Sequence, residues 1–297
     1  MRIDPNVREA LVARRPVVAL ESAVITHGFA RPKNLEVARA MARAVEAAGA
    51  VPAVLAIMEG EVRVGLTDAE VASLAERAAE KASLWNLASL VARGKTAGTT
   101  VAATAHLAAR AGIGVFATGG IGGVHHQPFD ESADLVALAR TPIVIVSSGM
   151  KSVLRLEATL ERLETLGVTV VGYRTGWLPA FHSPKSPYPL PARVEDAQEV
   201  AEIFRAQRGL GLGGALLVFN PVSEGLPYET VQAWTEAANR EAVSRGIAGK
   251  ALTPFLLRRL SELSDGRTDE VNVRLLVENA RLAAAIAVAM AEEGYEI

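Results

Sequence analysis

Cysteine is absent from all 297 residues, which removes disulfides, thiolate nucleophiles and cysteine-based zinc sites together. A cytoplasmic enzyme fits that absence. Aromatic residues make up only 5% of a chain that is half hydrophobic, so Ala, Val and Leu must fill the core. That composition suits helices packed on a parallel sheet. Basic blocks are missing too: 31 Lys and Arg are balanced by 33 Asp and Glu, giving a formal charge of -2 spread along the chain. Nucleic acid is therefore not an expected partner. Long apolar runs are also lacking, since the stretch LAAAIAVAMA is bounded by Arg281 and Glu292 and is too short to cross a bilayer. The opening residues MRIDPNVREALVARRPVVALES place Asp4, Pro5 and several charges ahead of any apolar run, unlike a signal peptide. Repeats and low-complexity segments are absent, and a soluble protein forming one large domain over residues 1–297 is expected.

What is present alternates strand with helix. RPVVALESAV reads as a strand buried on both faces, and PKNLEVARAMARAVEAAGA has helical spacing through Leu35, Ala38, Met41, Ala42 and Val45. VPAVLAIMEGEVRVGL reads as a strand and a return strand turning at Glu59-Gly60, and Thr67 with Glu70 forms a capping box opening the next helix. A helix at GTTVAATAHLAARAG, a strand at IGVFATGG, a helix at SADLVALAR and a strand at PIVIVSS follow. KSVLRLEATLERLETLG reads as an amphipathic helix ending at Gly167, before the strands VTVVGYRT and GALLVFNPV and three closing helices. The pattern predicts a three-layer α/β/α sandwich on a mostly parallel sheet, with ligands bound beyond the carboxyl ends of its strands. WLPAFHSPKSPYPLP, with five prolines, is expected to be an ordered loop over a site or an interface.

Several residues fall where such a site forms. Glu21 ends the first strand, where a carboxylate serves as a general acid or base or as a structural hydrogen-bonding group. Gly119, Gly120, Gly122 and Gly123 lie in the loop ATGGIGGVHHQPFDESAD, which offers backbone N–H groups to an anion but lacks the dinucleotide spacing. His125, His126, Asp130, Glu131 and Asp134 follow; a metal bound there would be a hard, oxygen-preferring ion such as Mn²⁺ or Mg²⁺. Asp134 can equally decorate the first turn of its own helix. GKTAGTTVAAT is not a Walker loop, although helix-terminal amides and threonine hydroxyls bind phosphate without one. Lys151, between PIVIVSS and a helical stretch, either snorkels, binds an anion or supplies a neutral amine that attacks a carbonyl.

In chain order, ALESAVITHG, GKTAGTTVAAT, FATGGIGGVH, FDESADL, SSGMKSVL, GYRTGWLPAF, VFNPV and GKALTPFLLRRL resemble the pseudouridine-5′-phosphate glycosidase family, also called indigoidine synthase A-like. The resemblance spans nearly the whole chain. It implies reversible cleavage of the carbon–carbon glycosidic bond of pseudouridine 5′-phosphate to uracil and ribose 5-phosphate. It further implies a divalent metal, typically Mn²⁺, and a homotrimer. By the same resemblance Lys151 matches the Schiff-base lysine, Glu21 the acid/base glutamate and Asp134 the metal-binding aspartate. Lys81, Thr100, Val101, His125 and Ser132 match positions around the phosphate and sugar, Thr118 and Gly120 the uracil side, and Asn279 an asparagine near the catalytic centre. Two other classes share some of these features. A Schiff-base aldolase acting on a sugar phosphate would also use Lys151, a glutamate and an anion site, and a non-enzymatic nucleotide-binding protein would use the glycine loop.

Overall fold

The computed structural model describes residues 1–127, 129–247 and 252–292. Gly249, Lys250 and Ala251 of the GKALTPFLLRRL segment lie outside the described residues. In chain order, β1 (Arg2–Ile3) and α1 (Pro5–Val12) lead into β2 (Val17–Leu20), a turn of π-helix at Val24–Gly28 and α2 (Lys33–Ala47). Next come β3 (Val51–Met58), β4 (Glu61–Val64), α3 (Asp68–Glu76), β5 (Glu80–Ala82), α4 (Leu87–Ala92), β6 (Ala97–Thr99) and α5 (Val101–Arg110). The middle of the chain supplies β7 (Val115–Ala117), α6 (Ala133–Leu138), β8 (Val144–Ser147), α7 (Leu156–Thr165) and β9 (Thr169–Tyr173). After the proline-rich loop follow β10 (Arg193–Val194), α8 (Ala197–Gly209), β11 (Leu216–Phe219), α9 (Tyr228–Ser244), α10 (Leu252–Leu263) and α11 (Arg267–Glu292).

The strands run β1-β4-β3-β2-β7-β8-β11-β9-β10, with β6 on β3 and β5 on β6. Every pairing is parallel except those of β3 with β4 and with β6. Strand residues alternate between two cores. Val17, Ala19, Phe116, Ile145, Leu217 and Phe219 pack with α5, α6, α9 and α10, whereas Val18, Leu20, Val115, Val144, Val146 and Val218 pack with α2, α8 and α11. A strand buried on both faces must be apolar throughout, which explains the unbroken runs in the sequence. The expected α/β architecture of a mostly parallel sheet flanked by helices is thus the one observed.

Local chemistry accounts for the boundaries. Thr67 accepts from the Glu70 N–H while the Glu70 carboxylate accepts from the Thr67 N–H, completing the expected capping box. Between the paired residues Met58 and Glu61, Glu59 and Gly60 both take positive φ (53° and 80°), as a two-residue hairpin turn requires.

Two local expectations change and one unassigned stretch resolves. The helix expected from Lys151 begins only at Leu156. Residues 151–155 instead run beside the glycine loop, with the Lys151 N–H donating to Ile121 O (3.1 Å) and the Arg155 N–H to Val124 O (2.9 Å). The first residues of GTTVAATAHLAARAG belong to β6, and its helix starts at Val101. The charged stretch after the prolines, unassigned from sequence, forms α8 behind an Asp196 cap.

Candidate active site

Glu21, Thr118 and Ser148 directly follow β2, β7 and β8, which are adjacent and parallel. Their side chains therefore gather at one edge of the sheet, its carboxyl end. Lys151 lies three residues beyond Ser148, at the close of a segment bridged to the glycine loop through Ile121 and Met150. Its charge acts on Glu21, on Lys81 and on His125, so these groups share one site. Lys81 reaches it from β5, which is in register with β6 just ahead of the α5 N-terminus.

The electrostatics are those of a partly buried carboxyl group held among cations. Burial pushes the Glu21 carboxyl above the ordinary carboxylate range, opposed by Lys151, by the Thr118 hydroxyl that donates to it and by Lys81. Burial lowers the Lys81 ammonium, and Lys151 lowers it further. His125 is also lowered by burial, with Asp130 opposing and Lys151 and Lys81 reinforcing.

Asp134 has a task the sequence did not specify. Its Oδ1 accepts from the Ala102 N–H (2.9 Å) at the start of α5, and its Oδ2 from the Gly122 N–H (2.8 Å) in the glycine loop. One buried carboxylate thus ties α5, α6 and the loop together. No Cβ fits on Gly122, because it would lie 2.2 Å from Ser132 Oγ. Ser132 caps α6 by accepting from the Asp134 N–H, and Thr100 caps α5 by accepting from the Ala103 N–H. Val101, the first residue of α5, is buried. Thr100, Val101, Ser132 and Lys81 lie around two helix starts whose first amides are taken by the two caps and by the Asp134 carboxylate, so the ammonium groups of Lys81 and Lys151 are what the site offers an anion.

Asn279, expected near the catalytic centre, is fully buried on α11 and makes a junction. Its Nδ2 donates to Thr118 O (2.8 Å) and Ser148 Oγ (3.1 Å), and its Oδ1 accepts from Asn220 Nδ2 (3.0 Å). Gly120 is backed by Phe181, whose ring lies 2.6 Å from where a Cβ would be. The proline-rich loop folds back on itself and docks beside the lysine segment, through the bridge Gly149↔Ala180 and the Phe181 N–H to Ser148 O bond (2.8 Å). Asn220, Ser148 and Phe181 were not singled out from sequence. Asn220 directly follows β11 in VFNPV, and a polar residue at a buried strand's end was the available signal.

An α/β enzyme with two lysines and a partly buried acid at the carboxyl ends of parallel strands is the class that fold and site define. The family described as indigoidine synthase A like protein matches residues 6–289, and the chain belongs to it. A relative from Thermus thermophilus, named pseudouridine-5′-phosphate glycosidase, is 66% identical over 94% of this chain and 99% of its own. One of the same name from Kosmotoga olearia is 45% identical over 95% of this chain and 99% of its own. Among solved structures, the prealnumycin C-glycosynthase AlnA in complex with ribulose 5-phosphate superposes with a TM-score of 0.91 at 36% identity, covering 99% of this chain and 97% of that one. An indigoidine synthase A-like protein from Thermotoga maritima gives 0.88 at 38% identity, covering 94% of each chain.

Proposed function

We propose that this protein reversibly cleaves the carbon–carbon glycosidic bond of pseudouridine 5′-phosphate, giving uracil and ribose 5-phosphate. The observation that carries the reading is the pairing of Lys151 with a partly buried Glu21, whose carboxyl is raised above the ordinary range, at strand ends on either side of β7. The names of the relatives, and the sugar phosphate bound by the glycosynthase, support it.

A carbon-linked base has no heteroatom leaving group, so the two-carboxylate scheme of ordinary glycosidases does not transfer. In the proposed path Glu21 gives its proton to the ring oxygen as the Lys151 amine bonds to C1′, and the bond from C1′ to the ring oxygen breaks. Glu21, now a carboxylate, takes the extra proton from the alkylated lysine nitrogen and delivers it to C5 of uracil. The C1′–C5 electron pair leaves with the base, and the nitrogen lone pair closes to a Schiff base at C1′. Water hydrolyses this adduct, freeing ribose 5-phosphate and the lysine. Lys81, Thr100, Val101, Ser132 and His125 receive the phosphate and sugar, while Thr118 and Gly120 bound the uracil side. Thr118 and Asn279 also hold Glu21 and the strand ends in place.

A divalent ion, Mn²⁺ by expectation, fits here as a guest of one carboxylate that keeps most of its ligands as water. Among the described residues no three His, Asp or Glu side chains converge into a ligating group. Asp134, expected to hold the ion, accepts one amide N–H on each oxygen and keeps a further lone pair on each, whereas Glu131 pairs with Arg162 (3.1 Å). Asp134, whose charge acts on both Glu21 and Lys81, is the carboxylate we propose for the ion, directly or through a bound water. When bound, the ion supplies positive charge and ordered water to the substrate.

The decisive assay is uracil release from pseudouridine 5′-phosphate with and without Mn²⁺. Lys151→Ala should abolish release and borohydride trapping with ribose 5-phosphate while keeping the wild-type circular dichroism; normal turnover would remove the covalent path. Asp134→Asn should raise the Mn²⁺ concentration needed for activity by about 10-fold or more. If that variant keeps the wild-type Mn²⁺ response, the ion does not belong on Asp134. The proposed assembly is a homotrimer, which a mass measurement in solution checks.

A further inference from the structure

The proline-rich loop brings a second buried pair to the chain segment that carries Lys151. His182 is 2% exposed and Ser152, the residue after Lys151, is fully buried, with His182 Nδ1 and Ser152 Oγ hydrogen-bonded at 3.0 Å. The main chain around the pair is fixed on both sides. Phe181 takes a left-handed φ of 60°, which an aromatic residue adopts only when its surroundings enforce it. Its N–H donates to Ser148 O (2.8 Å), and His182 O accepts from the Leu226 N–H (2.7 Å). Gly149, at φ 87°, passes so close that an added Cβ would lie 2.0 Å from Pro179 O. Residues 179–183 therefore clasp residues 148–152 through main chain at one end and through one side-chain hydrogen bond at the other.

None of these groups meets substrate on the proposed path, yet the bond lies one residue from the attacking amine. A side chain that attacks carbon must be held to a fraction of an ångström. Lys151 follows a segment without regular secondary structure and precedes α7 by several residues, so no helix or strand sets its direction. Burial keeps His182 uncharged, with its proton-binding tendency lowered to about 3, so the imidazole is a neutral hydrogen-bonding partner throughout the working range.

We propose that His182 is a positioning residue for the reaction, holding Ser152 and through it the direction in which Lys151 presents its amine. The inference rests on the reading of Lys151 as the amine that bonds to C1′.

The test compares His182→Phe, His182→Asn and Ser152→Ala with the wild type. It measures kcat and KM for pseudouridine 5′-phosphate, the rate of borohydride trapping with ribose 5-phosphate, and melting temperature. His182→Phe and Ser152→Ala should each lower kcat and trapping rate by about 10- to 100-fold, with KM within about twofold. His182→Asn, whose amide can reach Ser152, should recover a good part of the loss. Should His182→Phe fail to fold, Ser152→Ala decides alone. Wild-type kcat and trapping in Ser152→Ala overturn the proposal, as does a folded His182→Phe that loses melting temperature only, or a His182→Asn no better than His182→Phe. If the wild type itself forms no trappable adduct on Lys151, the covalent reading fails first and this inference with it.

Discussion

Glu21 illustrates how one side chain can serve chemistry at a cost to the fold. Its carboxyl is raised, so the folded protein holds this proton more readily than the unfolded chain does. The sign follows: no stability is lost below the ordinary value of 4.5, and the burden grows as pH rises from there until the folded group ionises. Glu21→Gln should therefore melt higher than wild type at pH 8 and match it near pH 4. The same variant should lose uracil release. In the wild type the rate should fall on the alkaline side as the acid form of Glu21 is titrated. A Gln variant that is active, or no more stable at pH 8 than wild type, contradicts this account.

At the scale of elements, the strands were legible because burial on both faces leaves an unbroken apolar run, as in PIVIVSS and ALLVF. Glu21 and Lys151 were legible because each follows such a run. The start of α7 was not. The apolar spacing of KSVL continues smoothly into LEATLERLETL, and only main-chain bonds to the glycine loop, at Ile121 and Val124, hold residues 151–155 out of the helix. Periodicity cannot register a competition between one element and a loop some thirty residues upstream. Nor could composition show that Asp134 would accept from two amides, since that depends on α5 arriving beside the glycine loop. The clasp of the proline-rich loop belongs to this scale as well. Gly149→Ala meets both a positive φ and the Pro179 carbonyl, and should cost about 2–4 kcal/mol, measured as a shift in the urea midpoint. An unchanged midpoint would show that the loop and the lysine segment separate freely.

For the whole molecule, acid should be the weak side. His182 is lowered from 6.5 to about 3 by burial, so the unfolded chain takes up a proton that the folded one refuses. That contribution to stability is complete above pH 6.5 and drains away as pH falls toward about 3, at about 1.4 kcal/mol for each pH unit. His182→Asn should flatten the fall in melting temperature between pH 6 and pH 4. A parallel fall in both proteins would place the acid-sensitive group elsewhere. The junction at Asn279 has a consequence in time. Glu21 leaves the ribosome long before α11, which joins Thr118, Ser148 and Asn220. A nascent chain can thus lay down its central strands early, yet their ends stay unjoined until α11 closes over them, so activity should appear only once synthesis has passed residue 279.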